Sequence, residues 1–207
     1  MLKQLLTNAA LANQIELNDI VCQKILRYIE LIQRWNKVFN LTSITDPEEM
    51  IHLHIIDSLI INPLVQGSRL LDVGSGAGLP GIPLAILNPT QQWTLLDKNG
   101  KKTRFLTQAI AELKLTNAVA VHSRCEDFHP SQCFDSILSR AFATVRTFVE
   151  STEHLLCPHG FFLAMKGKYP TEELADLPSR FMTQNVTRLR LKGLDIERHL
   201  VCLKREE

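Results

Sequence analysis

The sequence predicts an α/β fold: a mostly parallel seven-stranded sheet, an antiparallel hairpin at its C-terminal edge and a helical extension at the N-terminus. Residues 1–65 carry apolar side chains at helical spacing, whereas residues 66–207 alternate short apolar runs with helical stretches. The last two apolar runs, residues 185–191 and 198–204, have no obvious helix between them. We therefore expect a helical extension at 1–65 and an α/β domain at 66–207.

The extension is predicted to contain two main helices. In the first, Leu17 to Phe39, apolar residues recur every three or four positions and Asn18 or Asp19 caps the first turn. The predicted buried stripe consists of Ile20, Val21, Ile25, Ile29, Ile32 and Trp35. NLTSIT, residues 40–45, interrupts this pattern. A second helix is expected from Asp46 to about Ile61, because Asp46 is a good cap, Pro47 suits a first turn and Glu49 follows the cap by three residues.

In the α/β domain, seven apolar runs are strand candidates. They occupy residues 69–73, 93–97, 118–122, 135–139, 160–166, 185–191 and 198–204. Helices are predicted at 82–87, 101–113 and 145–156, so that each connects two strands of a parallel sheet by a crossover.

The composition is that of a globular protein, with 45% hydrophobic and 22% charged residues and a net charge of +1. The N-terminus has too short an apolar core for a signal peptide, and no stretch approaches the roughly 18 apolar residues of a membrane span. Five cysteines stand at scattered spacings without a C-x-x-C pair. We expect reduced thiols in a cytoplasmic protein, with no metal site and no membrane contact.

Positive charge is concentrated between residues 98 and 124. This stretch holds six basic side chains, Lys98, Lys101, Lys102, Arg104, Lys114 and Arg124, against the single acidic Glu112. The run predicts a basic face that could contact phosphate groups, with a solvated helix surface as the equal alternative.

A glycine-rich turn follows the first predicted strand. In LLDVGSGAGLPGIPLAI, residues 70–86, glycines occupy positions 74, 76, 78 and 81, and Pro80 and Pro83 suit the first turn of the next helix. Ligands of parallel α/β sheets bind where strands end and backbone can approach closely. The turn therefore predicts a ligand against its backbone, the alternative being a tight turn without one.

The residues beside the turn restrict the kind of ligand but do not identify it. Gly76-x-Gly78-x-x-Gly81 satisfies the dinucleotide fingerprint, but counting from Gly74 places Leu79 where the last glycine should be. Asp72 places a carboxylate before the turn, which suits a cationic ligand better than a pyrophosphate.

Two further strand ends complete the expected pocket. Asp97 ends the second strand and can accept hydrogen bonds from ribose hydroxyls, or else caps the next helix. Cys125 and Glu126 follow the third strand, where an adenine would lie.

Several segments carry a family resemblance. D-x-G-x-G-x-G at residues 72–78 resembles the first motif of class I S-adenosylmethionine-dependent methyltransferases, which have a Rossmann-like fold. Together with NLTSI (40–44), HIIDSL (54–59), LLDKNGKKTRFL (95–106), SRAFA (139–143), MKGK (165–168) and ERHLV (197–201), it resembles the bacterial small-subunit rRNA methyltransferase G family, also called glucose-inhibited division protein B. The resemblance covers about residues 35 to 204.

The resemblance implies an enzyme, a cofactor and a substrate. The family methylates N7 of a guanine in the 530 loop of 16S rRNA, using S-adenosylmethionine and no metal. Its cofactor contacts fall on Gly74, Leu79, the backbone amides of Cys125 and Glu126, and Arg140. With Asp72, Gly76, Gly78 and Asp97, which the pattern itself suggests, these residues form the expected cofactor site.

The expected chemistry needs positioning and no general base, because guanine N7 carries a free lone pair near neutral pH. Arg140, at the end of the fourth strand, is the candidate to bond guanine O6 or a phosphate; the alternative is a structural ion pair with Glu126 or Asp135. Lys166 closes the fifth strand and is expected to contact RNA or to be a solvated strand end. Both are predicted catalytic residues.

The extension and the basic side chains are expected to complete the site. Asn40, Thr42, His54 and Asp57 would pack the extension over the pocket, with His54 structural. Phosphate contacts are expected from residues 98–104 and from Arg124, Arg146 and Lys168. The modest total charge suggests that the RNA partner is the assembled small subunit.

The residues alone leave alternatives open. A class I methyltransferase acting on another substrate, an NAD-dependent oxidoreductase and a non-catalytic RNA-binding module all remain compatible with the pattern.

Overall fold

The computed structural model of the protein describes residues 1–140 and 142–206. Ala141, in the SRAFA segment, and Glu207, the last residue of the predicted α/β domain, lie outside the described residues. The fold is a seven-stranded sheet with helices around it, as predicted. Its strands are β1 (Arg69–Val73), β2 (Gln92–Asp97), β3 (Ala118–His122), β4 (Phe134–Arg140), β5 (Leu156–Lys166), β6 (Phe181–Arg188) and β7 (His199–Arg205).

The order of the strands is β3-β2-β1-β4-β5-β7-β6. The first five strands are parallel, and β7 runs antiparallel to both β5 and β6, so the predicted antiparallel edge hairpin is confirmed. Arg140 lies opposite Met165, and Lys166 opposite His199. The carboxyl ends of the parallel strands and the start of β7 therefore lie on the same side of the sheet, which we call the carboxyl edge. The amino ends of the parallel strands lie at the opposite edge.

Helices cover both faces of the sheet and form the extension. They are α1 (Leu2–Ala12), α2 (Asp19–Phe39), α3 (Pro47–Met50), α4 (Asp57–Leu59), α5 (Gly81–Leu87), α6 (Gly100–Glu112), α7 (Val145–Thr152) and α8 (Thr171–Ala175), with short 3₁₀ turns at Asn62–Leu64 and Glu153–Leu155. One hydrophobic core runs from α1 and α2 through α5 and α6 to the sheet, so the extension packs as part of the fold.

The long helix α2 begins at a side-chain cap. Asn18 accepts a hydrogen bond from the amide of Val21 at 2.9 Å, which confirms one of the two predicted caps. The predicted stripe is correct except at Ile20, which is 66% exposed because its position in the first turn faces solvent. Tyr28, which the prediction omitted, is fully buried on the same face.

The second predicted helix is interrupted by a π-helical turn. Asp46 caps α3 as expected, accepting from the amides of Glu48 and Glu49. Residues Ile51–Ile56 then form a π-helix that leads into α4, which ends at Leu59, short of the predicted Ile61. Hydrophobic spacing does not reveal such a local widening of a helix.

Three predicted elements of the α/β domain have boundaries displaced by more than one residue. The helix predicted at 145–156 ends at Thr152, and β5 begins at Leu156 instead of residue 160. Strand β6 spans Phe181–Arg188 and not 185–191, because its partner β7 extends to Arg205 and pairs it with Phe181.

The expectation that all five cysteines are reduced was wrong for one pair. Cys133 and Cys157 form a disulfide, with Cα atoms 4.9 Å apart, and Cys22, Cys125 and Cys202 are free. The pairing follows from the sheet, since Phe134 lies opposite Leu156 and the neighbouring residues are thereby brought together. Within residues 1–140 and 142–206, no helix combines the length and apolar character needed to cross a bilayer.

Candidate active site

The glycine turn leaves the sheet at the end of β1. The amides of Gly74 and Ser75 donate to the carbonyl oxygen of Leu96 at 2.8 and 3.1 Å, which anchors the turn to β2. Gly74 has a φ of +67°, and a Cβ there would lie 3.1 Å from the ring of Phe142. Any larger residue would therefore be strained and would narrow the space beside the turn.

Two of the other glycines are explained by packing within the protein. A Cβ on Gly78 would lie 2.5 Å from Ile82, and one on Gly81 would lie 2.3 Å from Leu95. These positions allow α5 to approach the sheet closely, and no ligand is needed to explain them. Packing within the protein therefore explains two of the three glycines of the dinucleotide fingerprint counted from Gly76.

A cavity of about 370 Å³ opens beside the turn, within the size range of small-molecule sites. It is lined by Gly74, Leu96, Asp97, Lys98, Lys102, Ser123, Arg124, Cys125, Glu126, Phe142, Ala143 and Thr147. Four predicted cofactor residues, Gly74, Asp97, Cys125 and Glu126, thus border one space. The predicted residues Asp72, Gly76, Gly78, Leu79, Arg140 and Lys166 are not part of this lining.

Asp97 connects the glycine turn to the cavity. One carboxylate oxygen accepts from the amide of Gly76 at 2.9 Å, and the other from the amide of Asn99 at 2.8 Å. Asn99, not Asp97, caps α6, so the alternative assignment of Asp97 as a helix cap was wrong. Each carboxylate oxygen has a second lone pair, which leaves Asp97 able to accept from hydroxyl groups in the cavity.

Cys125 lines the cavity as a neutral thiol. Burial raises the pKa of its thiol to about 11, and the neighbouring Glu126 adds to the effect. A thiol with so high a pKa is a poor nucleophile near neutral pH. The Cys125 side chain is therefore unsuited to nucleophilic chemistry, and the backbone role that the resemblance implied stays a prediction.

Asp72 lies beneath the glycine turn and away from the cavity. Its Oδ2 accepts from the amide of Gly81 at 3.0 Å, while Oδ1 is buried without a hydrogen-bond partner among the described residues. Burial raises the pKa of this carboxyl to about 7, although the bond from Gly81 and the positive charge of Arg140 oppose the rise. An unsatisfied carboxylate here favours a cationic group nearby.

Tyr28 joins the extension to the glycine turn. Its hydroxyl donates to the carbonyl oxygen of Ala77 at 2.5 Å, and its ring packs against Phe105. Burial raises the pKa of this phenol well above its usual value, so it remains a donor at every physiological pH. The sequence contained a signal for this residue, because Tyr28 follows Ile25 by three positions on the buried stripe.

Arg140 is tied to the extension and to neither predicted partner. Its Nη1 donates to the carbonyl oxygen of Leu53 at 3.1 Å and to the carboxylate of Asp57 at 3.2 Å. The ion pairs with Glu126 or Asp135 that we considered do not form, and Asp135 instead accepts from the amides of Ser68 and Arg69 at the opposite edge of the sheet.

Lys166 is not the solvated strand end that we considered. Its Nζ donates to Glu173 at 2.7 Å and to the carbonyl oxygen of Ala143 at 3.1 Å, and its side chain is 17% exposed. Glu173 also accepts from the amide of Val145 at 2.6 Å. In this arrangement Lys166 connects β5 to α7 and α8.

His54 has a structural role, as expected. Its Nδ1 donates to the carbonyl oxygen of Leu53, and its Nε2 accepts from the hydroxyl of Thr42 at 2.9 Å. Burial lowers the pKa of this imidazole to about 4, helped by the nearby charge of Arg140, so the ring is neutral. Asn40 ends α2 in the left-handed conformation, and the loop that follows packs on the π-helical turn.

Basic side chains surround the mouth of the cavity. Lys98, Lys102 and Arg124 all line it, and among the described residues none of the three forms an ion pair. Arg146, which we expected to be a phosphate contact, instead pairs with Glu150 and Asp176. These two carboxylates balance the charge of Arg146, so this side chain is less available to bind a phosphate.

A second cleft is larger than this cavity but contains none of the predicted cofactor residues. This cleft of about 450 Å³ lies near Pro158 and Arg205, at the opposite edge of the sheet from the glycine turn. In the part of the chain that the structure describes, no three His, Cys, Asp or Glu side chains are grouped as metal ligands. The cavity beside the glycine turn is therefore the candidate active site.

Comparison with known proteins gives a family match. Residues 21–201 match the family model described as GidB, rRNA small subunit methyltransferase G. A protein of Yersinia enterocolitica named ribosomal RNA small subunit methyltransferase G is 49% identical over 92% of this chain and 93% of its own length. A protein of the same name from Haemophilus influenzae is 44% identical over 99% of this chain and 100% of its own.

Solved structures support the fold at low sequence identity. The glycopeptide N-methyltransferase MtfA, in a crystal structure with S-adenosylmethionine, has a TM-score of 0.63 and 13% identity over 74% of this chain and 88% of its own. The ribosomal protein L11 methylase of Lactobacillus delbrueckii has a TM-score of 0.57 and 14% identity over 75% of this chain and 80% of its own. Both show the Rossmann-like class I methyltransferase fold that the sequence predicted.

Proposed function

Because the chain belongs to the rRNA small subunit methyltransferase G family, we propose that it transfers a methyl group from S-adenosylmethionine to N7 of a guanine in 16S rRNA. The observation that carries the proposal is the glycine turn at the end of β1. It opens into a cavity bordered by Gly74 and Asp97, with Lys98, Lys102 and Arg124 at the mouth.

The residues at this cavity fit the cofactor. Gly74 leaves free backbone beside the cavity, Asp97 can accept from ribose hydroxyls, and the Cys125–Glu126 segment supplies backbone where an adenine would lie. Asp72, unsatisfied beneath the turn, favours positive charge in this region. Gly76, Gly78 and Leu79 shape the turn, since Gly76 bonds to Asp97 and the other two pack inward.

S-adenosylmethionine supplies a methyl group activated by its attachment to a positively charged sulfur. The acceptor is the lone pair of guanine N7, so no proton has to be removed and no general base is required. The protein contributes by holding the acceptor in line with the methyl group, and positioning of this kind is worth up to about 7–11 kcal/mol. His54 is not suited to be a base, because its pKa is lowered to about 4 and both ring nitrogens are hydrogen-bonded within the protein.

Arg140 is proposed to contact the substrate or the cofactor directly. Its Nε and Nη2 form no hydrogen bond to the described residues, whereas Nη1 is fixed by Leu53 and Asp57. A guanidinium held in this way can donate to guanine O6 or to an oxyanion, and it cannot act as a base. Lys166, paired with Glu173, is proposed to support the strand end beside the acceptor.

The RNA partner is proposed to be the assembled small ribosomal subunit, and the site of action the cytoplasm. The net charge is only +1, so the protein as a whole attracts phosphate weakly. This favours a substrate whose shape is already fixed by folding, so that a limited number of phosphate contacts can be aligned. Comparing turnover on naked 16S rRNA with turnover on small subunits tests this, and faster turnover on naked RNA would reject it.

The test of the whole proposal is a mapping experiment. The protein is incubated with S-adenosylmethionine carrying a labelled methyl group and with small subunits that lack the modification, and the labelled nucleotide is then located. We expect label on N7 of one guanine of the 530 loop. Label on another base or on a ribosomal protein would reject the proposed substrate, and absence of transfer to any component would reject the activity.

A further inference from the structure

Asp57 binds two arginines with one carboxylate. Its Oδ1 accepts from Nε of Arg198 at 2.9 Å, and its Oδ2 accepts from Nη1 of Arg140 at 3.2 Å. The carboxylate is almost completely buried, with 3% of the Asp57 side chain exposed. The two guanidinium groups are therefore neighbours, and together with Asp57 they carry one surplus positive charge.

One arginine is sufficient to compensate a buried carboxylate, so the second requires its own explanation. Nearby groups do not supply it: His54 is neutral, and Lys166 is already paired with Glu173. Asp72 interacts with the charge of Arg140, but burial beneath the glycine turn raises its pKa to about 7, so it offsets that charge only in part. A surplus positive charge in a partly buried position is a binding site for an anion.

The two arginines are held rigidly, as a preformed site requires. Arg140 also donates to the carbonyl oxygen of Leu53 in the π-helical turn, and Arg198 donates through Nη1 to the carbonyl oxygen of Glu197. The turn itself is fixed by Ser58, whose hydroxyl donates to the carbonyl oxygen of His54 at 2.5 Å. Because the side chains are already ordered, binding of a ligand costs less conformational entropy.

Arg198 also stands where a substrate would approach. It directly precedes β7, whose first residue His199 lies opposite Lys166 at the end of β5. This is the edge of the sheet that carries the glycine turn and Arg140. The Arg198 side chain is 28% exposed, and its Nη2 has no hydrogen-bond partner in the part of the chain that the structure describes.

We propose that Arg198, held by Asp57 beside Arg140, binds a phosphate of the RNA substrate. Arg198 is then a binding residue, and Asp57 is a positioning residue that acts through the two arginines. The inference rests on the proposed function, because it takes the anion to be a phosphate of RNA. The carboxylate of the cofactor is an anion too, and the experiment is designed to separate the two.

The first experiment compares Arg198→Met with Arg180→Met. Arg180 is also paired with glutamates but lies at the opposite edge of the sheet, so its replacement removes the same charge far from the site. We expect Arg198→Met to raise KM for unmodified small subunits about tenfold, with kcat and the Kd of S-adenosylmethionine unchanged. Arg198→Lys, which keeps the charge without the fork, should give an intermediate KM and covers the case in which the methionine variant does not fold.

Two results of this experiment would overturn the inference. One is a KM for small subunits equal in Arg198→Met and Arg180→Met. The other is weaker binding of S-adenosylmethionine with unchanged binding of RNA, which would assign Arg198 to the cofactor. Binding of RNA is measured by filter retention without cofactor, so it tests Arg198 even if the wild-type protein transfers no methyl group and the proposed function fails.

The second experiment uses Asp57→Asn to separate position from charge. The substitution raises the local charge by one, so charge alone predicts tighter binding of RNA. Loss of position predicts the opposite. Asparagine keeps a single acceptor oxygen, so one of the two guanidinium groups loses its partner, and we expect affinity for RNA about tenfold below wild type. Tighter binding by Asp57→Asn would overturn the positioning role.

Discussion

The hydroxyl of Tyr28 and the carbonyl oxygen of Ala77 are hydrogen-bonded across 49 residues of sequence, at 2.5 Å. The bond connects α2 in the N-terminal extension to the turn that borders the proposed cofactor cavity. Since Asp97 fixes the same turn through Gly76, the turn is held from two sides. The extension therefore helps to fix the turn that borders the proposed cofactor cavity.

Replacement of Tyr28 by phenylalanine should weaken cofactor binding. The Ala77 carbonyl would lose its donor in a buried position, which costs about 1–3 kcal/mol, and the turn would lose one of its two attachments. We expect the Kd of S-adenosylmethionine, measured by calorimetry, to rise about tenfold. Trp35→Phe serves as the control, because Trp35 also packs on Phe105 from α2 but has no bond to the turn. Equal affinity of Tyr28→Phe and wild type would contradict the prediction.

Alanine at position 74 should reduce cofactor affinity. Gly74 has a φ of +67°, and a Cβ there would lie 3.1 Å from Phe142, inside the region that borders the cavity. The left-handed backbone costs an alanine about 1–2 kcal/mol, while the methyl group also obstructs the ligand. We expect a rise of at least about tenfold in the Kd of S-adenosylmethionine. Gly167→Ala is the matched control at the same edge, because nothing lies within 4 Å of a Cβ there, and a similar loss in both variants would refute the prediction.

Local signals in the sequence were sufficient to predict the fold. The seven strands, the crossovers and the edge hairpin follow from short apolar runs and the helical spacing between them, and each of these is a property of neighbouring residues. The glycine turn and Asp97 were located in the same way, because both follow the end of a strand. Boundaries were displaced where pairing decided them, as at Phe181, whose strand is extended by its partner β7.

Contacts between residues that are far apart in sequence could not be predicted from these local signals. Asp57 and Arg140 are 83 residues apart, and the π-helical turn that brings them together has no signature in the hydrophobic pattern. The structural alternative that we considered for Arg140 therefore named Glu126 or Asp135, which are nearer in sequence, and not Asp57. Cys133 and Cys157 were misjudged for a related reason, since only the register between β4 and β5 makes them neighbours.

The stability of the cofactor-free protein should show the raised pKa of Asp72. Burial raises this pKa from 3.8 to about 7, so between these values the folded protein holds a proton that the unfolded chain has released. Stability from this group is complete below about pH 4 and is lost as the pH rises through about 7. We expect the unfolding free energy of wild type, relative to Asp72→Asn, to fall by up to about 4 kcal/mol over that range.

Urea denaturation at a series of pH values from 4 to 8 measures this difference. Glu48→Gln, which removes a carboxylate from the exposed surface of α3, is the control for the loss of one negative charge. Parallel curves for wild type and Asp72→Asn would show that the buried carboxyl keeps an ordinary pKa, and would remove the argument that it favours a cationic ligand.

Removal of the basic side chains at the cavity mouth should weaken RNA binding in a salt-dependent way. Lys98 and Lys102 line the cavity without ion pairs among the described residues, so each is free to neutralise a phosphate. Every phosphate contact contributes about 0.7 to 0.9 to the slope of log K against log salt concentration. For Lys98→Gln/Lys102→Gln we expect a slope shallower by about 1.4 to 1.8. The control is Arg180→Gln/Lys204→Gln, which removes two charges at the opposite edge of the sheet and should leave the slope unchanged. An equal change in both double variants would mean that the protein attracts RNA through its total charge, and the cavity mouth would lose its assignment as the RNA-facing surface.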